Sequence, residues 1–238
     1  MNLNSDRIIR AVRTISKTPG VIVLVVAMGG GCRSAPHPSE GRATDSAAVT
    51  VELSDPDPCT DRFQHLWLTI SDVKASTSSS RSGSRAAFVD FTPNLRSAPR
   101  QMDLLGPVTT CFPPDIGTAP AAAAGDYADL RVSFVLNDES TAVAPVVNEC
   151  HAAGPRVFNC VVDAGGTLHR LNLPAEAKDG IKISPTQLRC GGVRLRAGEP
   201  FEIGIYVNSC ASLGNTNPDG SIDMKPIIWG WAQSKATS

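Results

Sequence analysis

Apolar and polar residues alternate in short runs along most of this chain. The clearest runs are residues 49–53 (VTVEL), 65–73 (HLWLTISDV), 126–136 (DYADLRVSFVL) and 201–207 (FEIGIYV). Successive side chains of a strand point to opposite faces, so alternation marks a sheet buried on one side. Leu66, Leu68 and Ile70 share one face, with His65, Trp67 and Thr69 on the other. Leu130, Val132 and Phe134 form a second apolar face, and Phe201, Ile203, Ile205 and Val207 a third. Shorter strands are expected at 87–91, 168–172 and 181–183. Residues 102–105 (MDLL) read as a plug for the core, and residues 107–124, with four prolines, as an irregular connection. Residues 142–150 and 156–162 read as an outer hairpin, and 175–179 as one helical turn. Residues 221–231 (SIDMKPIIWGW) read as a strand interrupted by Pro226, which lacks an amide donor and belongs at an edge or a bulge. About nine such runs, separated by turn signals and without a sustained 3.6-residue period, predict an all-β fold, a two-sheet antiparallel β-sandwich.

The N-terminal pattern is different. Arg7, Arg10, Arg13 and Lys17, offset only by Asp6, precede residues 21–32 (VIVLVVAMGGGC). A basic lead, a short apolar run and small residues at a cut site form a bacterial export signal. Cys32 directly after the glycines points to lipidation, with the mature chain beginning there; the alternative is an ordinary secretory signal cut near residues 27–31. Gly29 stands where lipoprotein signals usually carry an aliphatic residue. The apolar run falls short of the about 20 residues that cross a bilayer. The chain therefore divides into a signal (1–32), a polar, proline-bearing tether (33–48) and a sandwich domain (49–233), held at the cell envelope through an acyl anchor or, failing lipidation, secreted. The serine-rich stretch 77–85 reads as a loop.

Composition changes this picture little. A formal net charge of -1 gives no basic field for nucleic acid, and 42% apolar with 19% charged residues suits a folded domain. The cysteines add more. Seven are present, and setting Cys32 aside leaves Cys59, Cys111, Cys150, Cys160, Cys190 and Cys210, an even set of the kind that exported domains use as disulfides. The sequence-local pairing is expected: Cys59–Cys111, Cys150–Cys160 and Cys190–Cys210. No close-spaced cysteine pair of the zinc kind occurs.

Candidate chemistry is sparse. The sequence contains no GxSxG, P-loop, GxGxxG or HExxH. Residues 215–223 (NTNPDGSID) place Asn215, Asn217 and Asp219 at positions one, three and five of a calcium loop, but position twelve is Pro226 rather than Glu. A hairpin turn explains the same residues. Calcium is thus a weak candidate, and no other cofactor is expected. Trp229 and Trp231 share a face of the last strand, with Trp67 as a further candidate; exposed, such rings stack on sugars, and buried they pack.

The order of the pieces resembles a family of bacterial exported domains, domain of unknown function 4382. The resemblance rests on VTVELSDP followed by FQHLWLTISDVKA, on FVDF followed by MDLLG, on AGDYADLRVSFV, and on IKISP, LRAGEPFEIGIYVN and the terminal DMKPII. It covers residues 49–228 and implies a β-sandwich of a Greek-key kind, commonly on lipoproteins, with no assigned activity. The six cysteines, the serine-rich loop and residues 138–167 depart from that pattern. The expected function is a non-catalytic envelope module, anchored in the membrane, that binds a protein or glycan or serves a structural role. An envelope hydrolase is the second expectation.

Overall fold

Phe63–Thr77 forms the longest strand, and its apolar phase changes part-way along. Leu66, Leu68 and Ile70 are fully buried, and so are Val73 and Ala75. A register shift between Ile70 and Asp72 supplies the extra residue that this change of parity requires. A computed structural model describes residues 45–77, 87–106, 113–189 and 191–235.

The strands are β1 (Ser46–Ser54), β2 (Phe63–Thr77), β3 (Phe88–Asp90), β4 (Arg100–Asp103), β5 (Asp115–Ala123), β6 (Gly125–Phe134), β7 (Cys160–Asp163), β8 (Leu168–Asn172), β9 (Ile181–Ile183), β10 (Leu188–Arg189), β11 (Val193–Leu195), β12 (Phe201–Val207), β13 (Leu213–Thr216), β14 (Ile222–Met224) and β15 (Ile228–Ser234). Among the described residues, two single-turn α-helices accompany them, α1 (Glu176–Asp179) and α2 (Ser209–Ser212), with 3-10 turns at Pro93–Arg96, His151–Ala153 and Pro185–Gln187. The smaller sheet has the order β10-β15-β12-β1-β5, and the larger runs β11-β6-β2-β7-β8-β14-β13, with β3 and β4 on β2 and β9 on β6.

The all-β sandwich is found, with one correction: the sheets are mixed rather than purely antiparallel. β1 runs parallel to β12, β10 to β15, and β14 to β8. Local alternation reports which face is buried but not which neighbour a strand takes. Between the sheets lies one core, in which Val51, Leu53, Leu68, Phe91, Leu130, Ile203 and Ile205 are sealed from solvent. Each large aliphatic side chain buried there contributes roughly 1.5–3 kcal/mol.

Three local expectations change. Residues 115–123 form β5 rather than an irregular link; its small residues mask a pattern in which Ile116, Ala119 and Ala122 are buried. Pro120 is tolerated because β5 is an edge strand. Residues 221–231 form two strands, because the chain leaves the larger sheet after Met224 and enters the smaller at Ile228, with Pro226 at the crossing. Residues 142–150 form no strand. Side chains satisfy this segment instead: the Glu149 amide donates to Gln101 Oε1 at 2.6 Å, and the Cys150 amide donates to Asn148 Oδ1 at 3.1 Å. The helical turn expected at 175–179 is α1. The serine-rich stretch falls almost wholly outside the described residues.

Candidate functional site

β15, β12 and β1 lie side by side in the smaller sheet. Their inward residues are apolar, so their alternate residues share the outer face. In register, Trp229 stands beside Tyr206 and Ser54, Trp231 beside Gly204 and Glu52, and Gln233 beside Glu202 and Thr50. Trp229, Trp231, Tyr206, Glu52 and Glu202 are each half-buried. The Tyr206 and Trp229 rings lie 5.9 Å apart at 51°. Trp231 fills the space that Gly204 leaves: a Cβ at 204 would meet Trp231 Nε1 at 2.2 Å. The indole therefore lies along the sheet rather than standing off it.

A carboxyl pair adjoins these rings. Glu52 is hydrogen-bonded to Glu202, and partial burial, this bond and the charges of Glu202 and Asp115 push its pKa from 4.5 up to about 7. Lys235 opposes the shift, and its Nζ lies 3.7 Å from Glu202 Oε1. At pH 7 Glu52 is therefore protonated about half of the time, and in that form it can donate as well as accept hydrogen bonds. An aromatic platform with such a pair offers what a sugar ring needs: a flat apolar surface and bidentate polar partners.

Of the tryptophans expected to stack on a ligand, Trp229 and Trp231 are together, and Trp67 is not with them. Trp67 lies on β2 in the larger sheet, with its ring stacked on His65 at 4.6 Å and 12° and packed on the Cys150–Cys160 cluster. The two outer faces of a sandwich point away from each other, which separates Trp67 from the platform.

Two disulfides are described. Cys150 pairs with Cys160 as expected, whereas Cys59 pairs with Cys210, across 151 residues. The pairings Cys59–Cys111 and Cys190–Cys210 are corrected accordingly. β1 lies parallel to β12, so the turn after β1 meets α2 just beyond β12. There the Cys59 amide donates to Ser209 Oγ at 2.9 Å, and the Ser209 amide donates to Asp55 Oδ2 at 3.1 Å. Cys32, Cys111 and Cys190 lie outside the described residues. Among the described residues, the grouping of possible metal ligands is Cys59, Asp61 and Cys210, and its two sulfurs are already bonded to each other.

The 215–223 stretch forms the β13–β14 hairpin. Asn215 is exposed on β13. Asp219 Oδ1 accepts from the Ser221 hydroxyl at 2.7 Å and the Ser221 amide at 3.0 Å, which hold its carboxyl below the usual range. Asn217 Nδ2 donates to Ser221 Oγ and Asp223 Oδ1, both at 3.1 Å. Asn217 and Asp219 are thus engaged in closing the turn, with Gly220 at φ +84°.

A family model described as Domain of unknown function (DUF4382) matches residues 46–226. The chain belongs to that family. Neither a curated protein nor a solved structure matches it. The matched segment of this DUF4382 chain includes Glu52, Glu202 and Tyr206 of the platform but stops before Trp229 and Trp231. The two disulfides fit an oxidising compartment. Among the described residues no helix is long and apolar enough to cross a membrane.

Sequence reasoning missed Glu52, Glu202 and Tyr206. Their outward phase is visible in VTVEL and FEIGIYV. Their adjacency to Trp231 is not, because about 150 residues separate β1 from β12 and only the parallel pairing joins them.

Proposed function

We propose that this DUF4382 chain is an exported, non-catalytic binding module, tethered to the envelope membrane by an acylated Cys32, whose outer aromatic face takes a neutral or amino-bearing glycan. The observation that carries this reading is the juxtaposition of Trp229 and Trp231 with the Glu52–Glu202 pair on one open sheet face. The rings supply stacking, and the carboxyl pair supplies hydrogen-bond partners for ring hydroxyls. Glu52, Glu202 and Asp115 disfavour acidic glycans by like-charge repulsion. A thiol after the glycines of an export signal supports the anchor, and so does the polar tether that follows. The non-catalytic part of the reading rests on geometry. Glycosidases separate their two carboxyls by about 5 Å or more to admit the sugar or a water. Glu52 and Glu202 are hydrogen-bonded to each other instead.

The test is a glycan array followed by calorimetry on the full chain in detergent, alongside Trp229→Ala and Trp231→Ala. Neutral glycans should bind, and each variant should lose about tenfold or more in affinity with an unchanged far-ultraviolet spectrum. Absence of glycan binding, or binding indifferent to both variants, overturns the reading. Intact-mass analysis of the membrane-extracted protein tests the anchor: an unacylated mature chain removes it.

A further inference from the structure

The outer face of the larger sheet carries a cleft of about 320 Å³. β2 and β6 form its floor; residues 139–143, α1 and the turn Pro93–Arg96 contribute to its rim. On the floor Asp72 and Ser133 are register partners, just past the bulge in β2 that turns Asp72 outward. Bulges are common beside sites, where they re-aim a side chain. Asp72 is 6% exposed and Ser133 2%. Among the described residues, three buried side-chain polar atoms have no hydrogen-bond partner: Asp72 Oδ1, Ser133 Oγ and Arg131 Nε. Two orphaned oxygens side by side are unusual, because each carries its full desolvation cost. Both belong to residues that line the cleft.

The charges around them are unevenly placed. Asp72 Oδ2 accepts from Lys74 Nζ at 3.2 Å and from Arg96 at 3.3 Å, so both cations crowd one oxygen, while Arg96 Nε also pairs with Asp90 Oδ2 at 2.9 Å and Asp90 adjoins Asp72. Lys178 pairs with Glu139 at the rim. The cations Arg96 and Lys178 remain 60% and 55% exposed, whereas the carboxyls of Asp72 and Glu139 are 8% and 18% exposed. An entering molecule therefore meets the more exposed cations first, each already paired with a carboxylate, and acceptor oxygens below them. The volume lies at the lower end of the range of ligand pockets, which suits a small molecule.

We propose that this cleft binds a small carboxylate that bears a hydroxyl or ammonium group on the neighbouring carbon. The ligand carboxylate faces Arg96 and Lys178, and its hydroxyl or ammonium donates to Asp72 Oδ1, with Ser133 Oγ as the adjoining partner. The site is separate from the aromatic face of the other sheet, so either reading stands or falls without the other.

The experiment is thermal denaturation and calorimetry of the full chain with four probes at millimolar concentration: L-lactate, glycine, acetate and ethanolamine. Lactate or glycine should raise the melting temperature, and which of them does so distinguishes a hydroxy acid from an amino acid. Acetate lacks the donor and ethanolamine lacks the carboxylate, so each should bind about tenfold more weakly or not at all. Arg96→Gln and Lys178→Met should abolish the shift, and Trp231→Ala should leave it intact. Ser133→Ala removes a partnerless hydroxyl, so the ligand-free protein should melt at the same temperature or higher while the ligand shift shrinks. No shift with lactate or glycine would mean a cleft that holds water only and would overturn the proposal. Equal binding of acetate, or binding indifferent to Arg96→Gln and Lys178→Met, would do so as well.

Discussion

Trp231 covers Gly204 in the adjacent strand, where a Cβ would lie 2.2 Å from Nε1 and 2.3 Å from Cε2 of the indole. No rotamer adjustment of a methyl group relieves such an overlap, so the ring must move. Gly204→Ala should displace the indole, shift its fluorescence and cost about 1–3 kcal/mol of stability, as overpacking does. Urea denaturation with emission spectra checks this. If the platform binds glycan, the same variant should weaken that binding.

The two disulfides close loops of very different length, with separations of 151 and 10 residues. In the chain-entropy picture the longer bridge contributes about 5 kcal/mol and the shorter about 3 kcal/mol. Replacing Cys59 and Cys210 by serine should thus destabilise the domain by about 2 kcal/mol more than replacing Cys150 and Cys160. Chemical denaturation of the two double variants provides the comparison.

Glu52 has a folded pKa of about 7 against 4.5 when free. The folded state keeps a proton that the unfolded chain releases. Stability should therefore fall as pH rises from 4.5 towards 7 and level off above that window. Glu52→Gln should flatten this slope. Midpoints of urea unfolding across the window test it, and an unchanged slope in the variant would contradict the assignment.

The pKa of His169 is raised as well, so its contribution to stability changes with pH in the same sense. Its Nε2 lies 2.9 Å from Asp163 Oδ2 and its Nδ1 2.8 Å from the Gly220 carbonyl, and both contacts raise its pKa above 6.5, the Asp163 bond most. The protonated ring can donate to both. Its contribution is fully present below 6.5 and is lost as pH rises through the elevated value. His169→Ala should cost up to about 1 kcal/mol in mild acid and little in alkali. The loosening should appear in amide exchange of the β7–β8 and β13–β14 turns, which this ring ties together.

Asn217 and Asp219 are committed to Ser221 and Asp223. Millimolar calcium should leave the melting temperature unchanged, since binding would first break these bonds. A calcium-dependent rise that Asp219→Asn removes would restore the hairpin as a metal site.

The strands with clean alternation were legible from residues alone: β1, β2, β6 and β12 lie where VTVEL, HLWLTISDV, DYADLRVSFVL and FEIGIYV stand. The bulge in β2 was not read from the sequence, where residues 65–73 stand as one alternating strand; only the pairing with β6 exposes it. β5 was hidden because Ala, Gly and Pro carry a faint burial pattern. Of the candidate site, Trp229 and Trp231 were visible through their spacing, whereas Glu52 and Glu202 were polar positions without a stated partner.

Local pattern decided that this chain builds sheets and which side of each strand is apolar, because these depend on neighbours one or two positions away, and the even count of cysteines beyond Cys32 pointed to an oxidising space. Folding alone decided that Cys59 meets Cys210, that Glu52 is hydrogen-bonded to Glu202 beside Trp231, and that Asp72 faces Ser133 across two strands. Those contacts follow from pairing between distant segments, and pairing is set by how the two apolar faces close over one core.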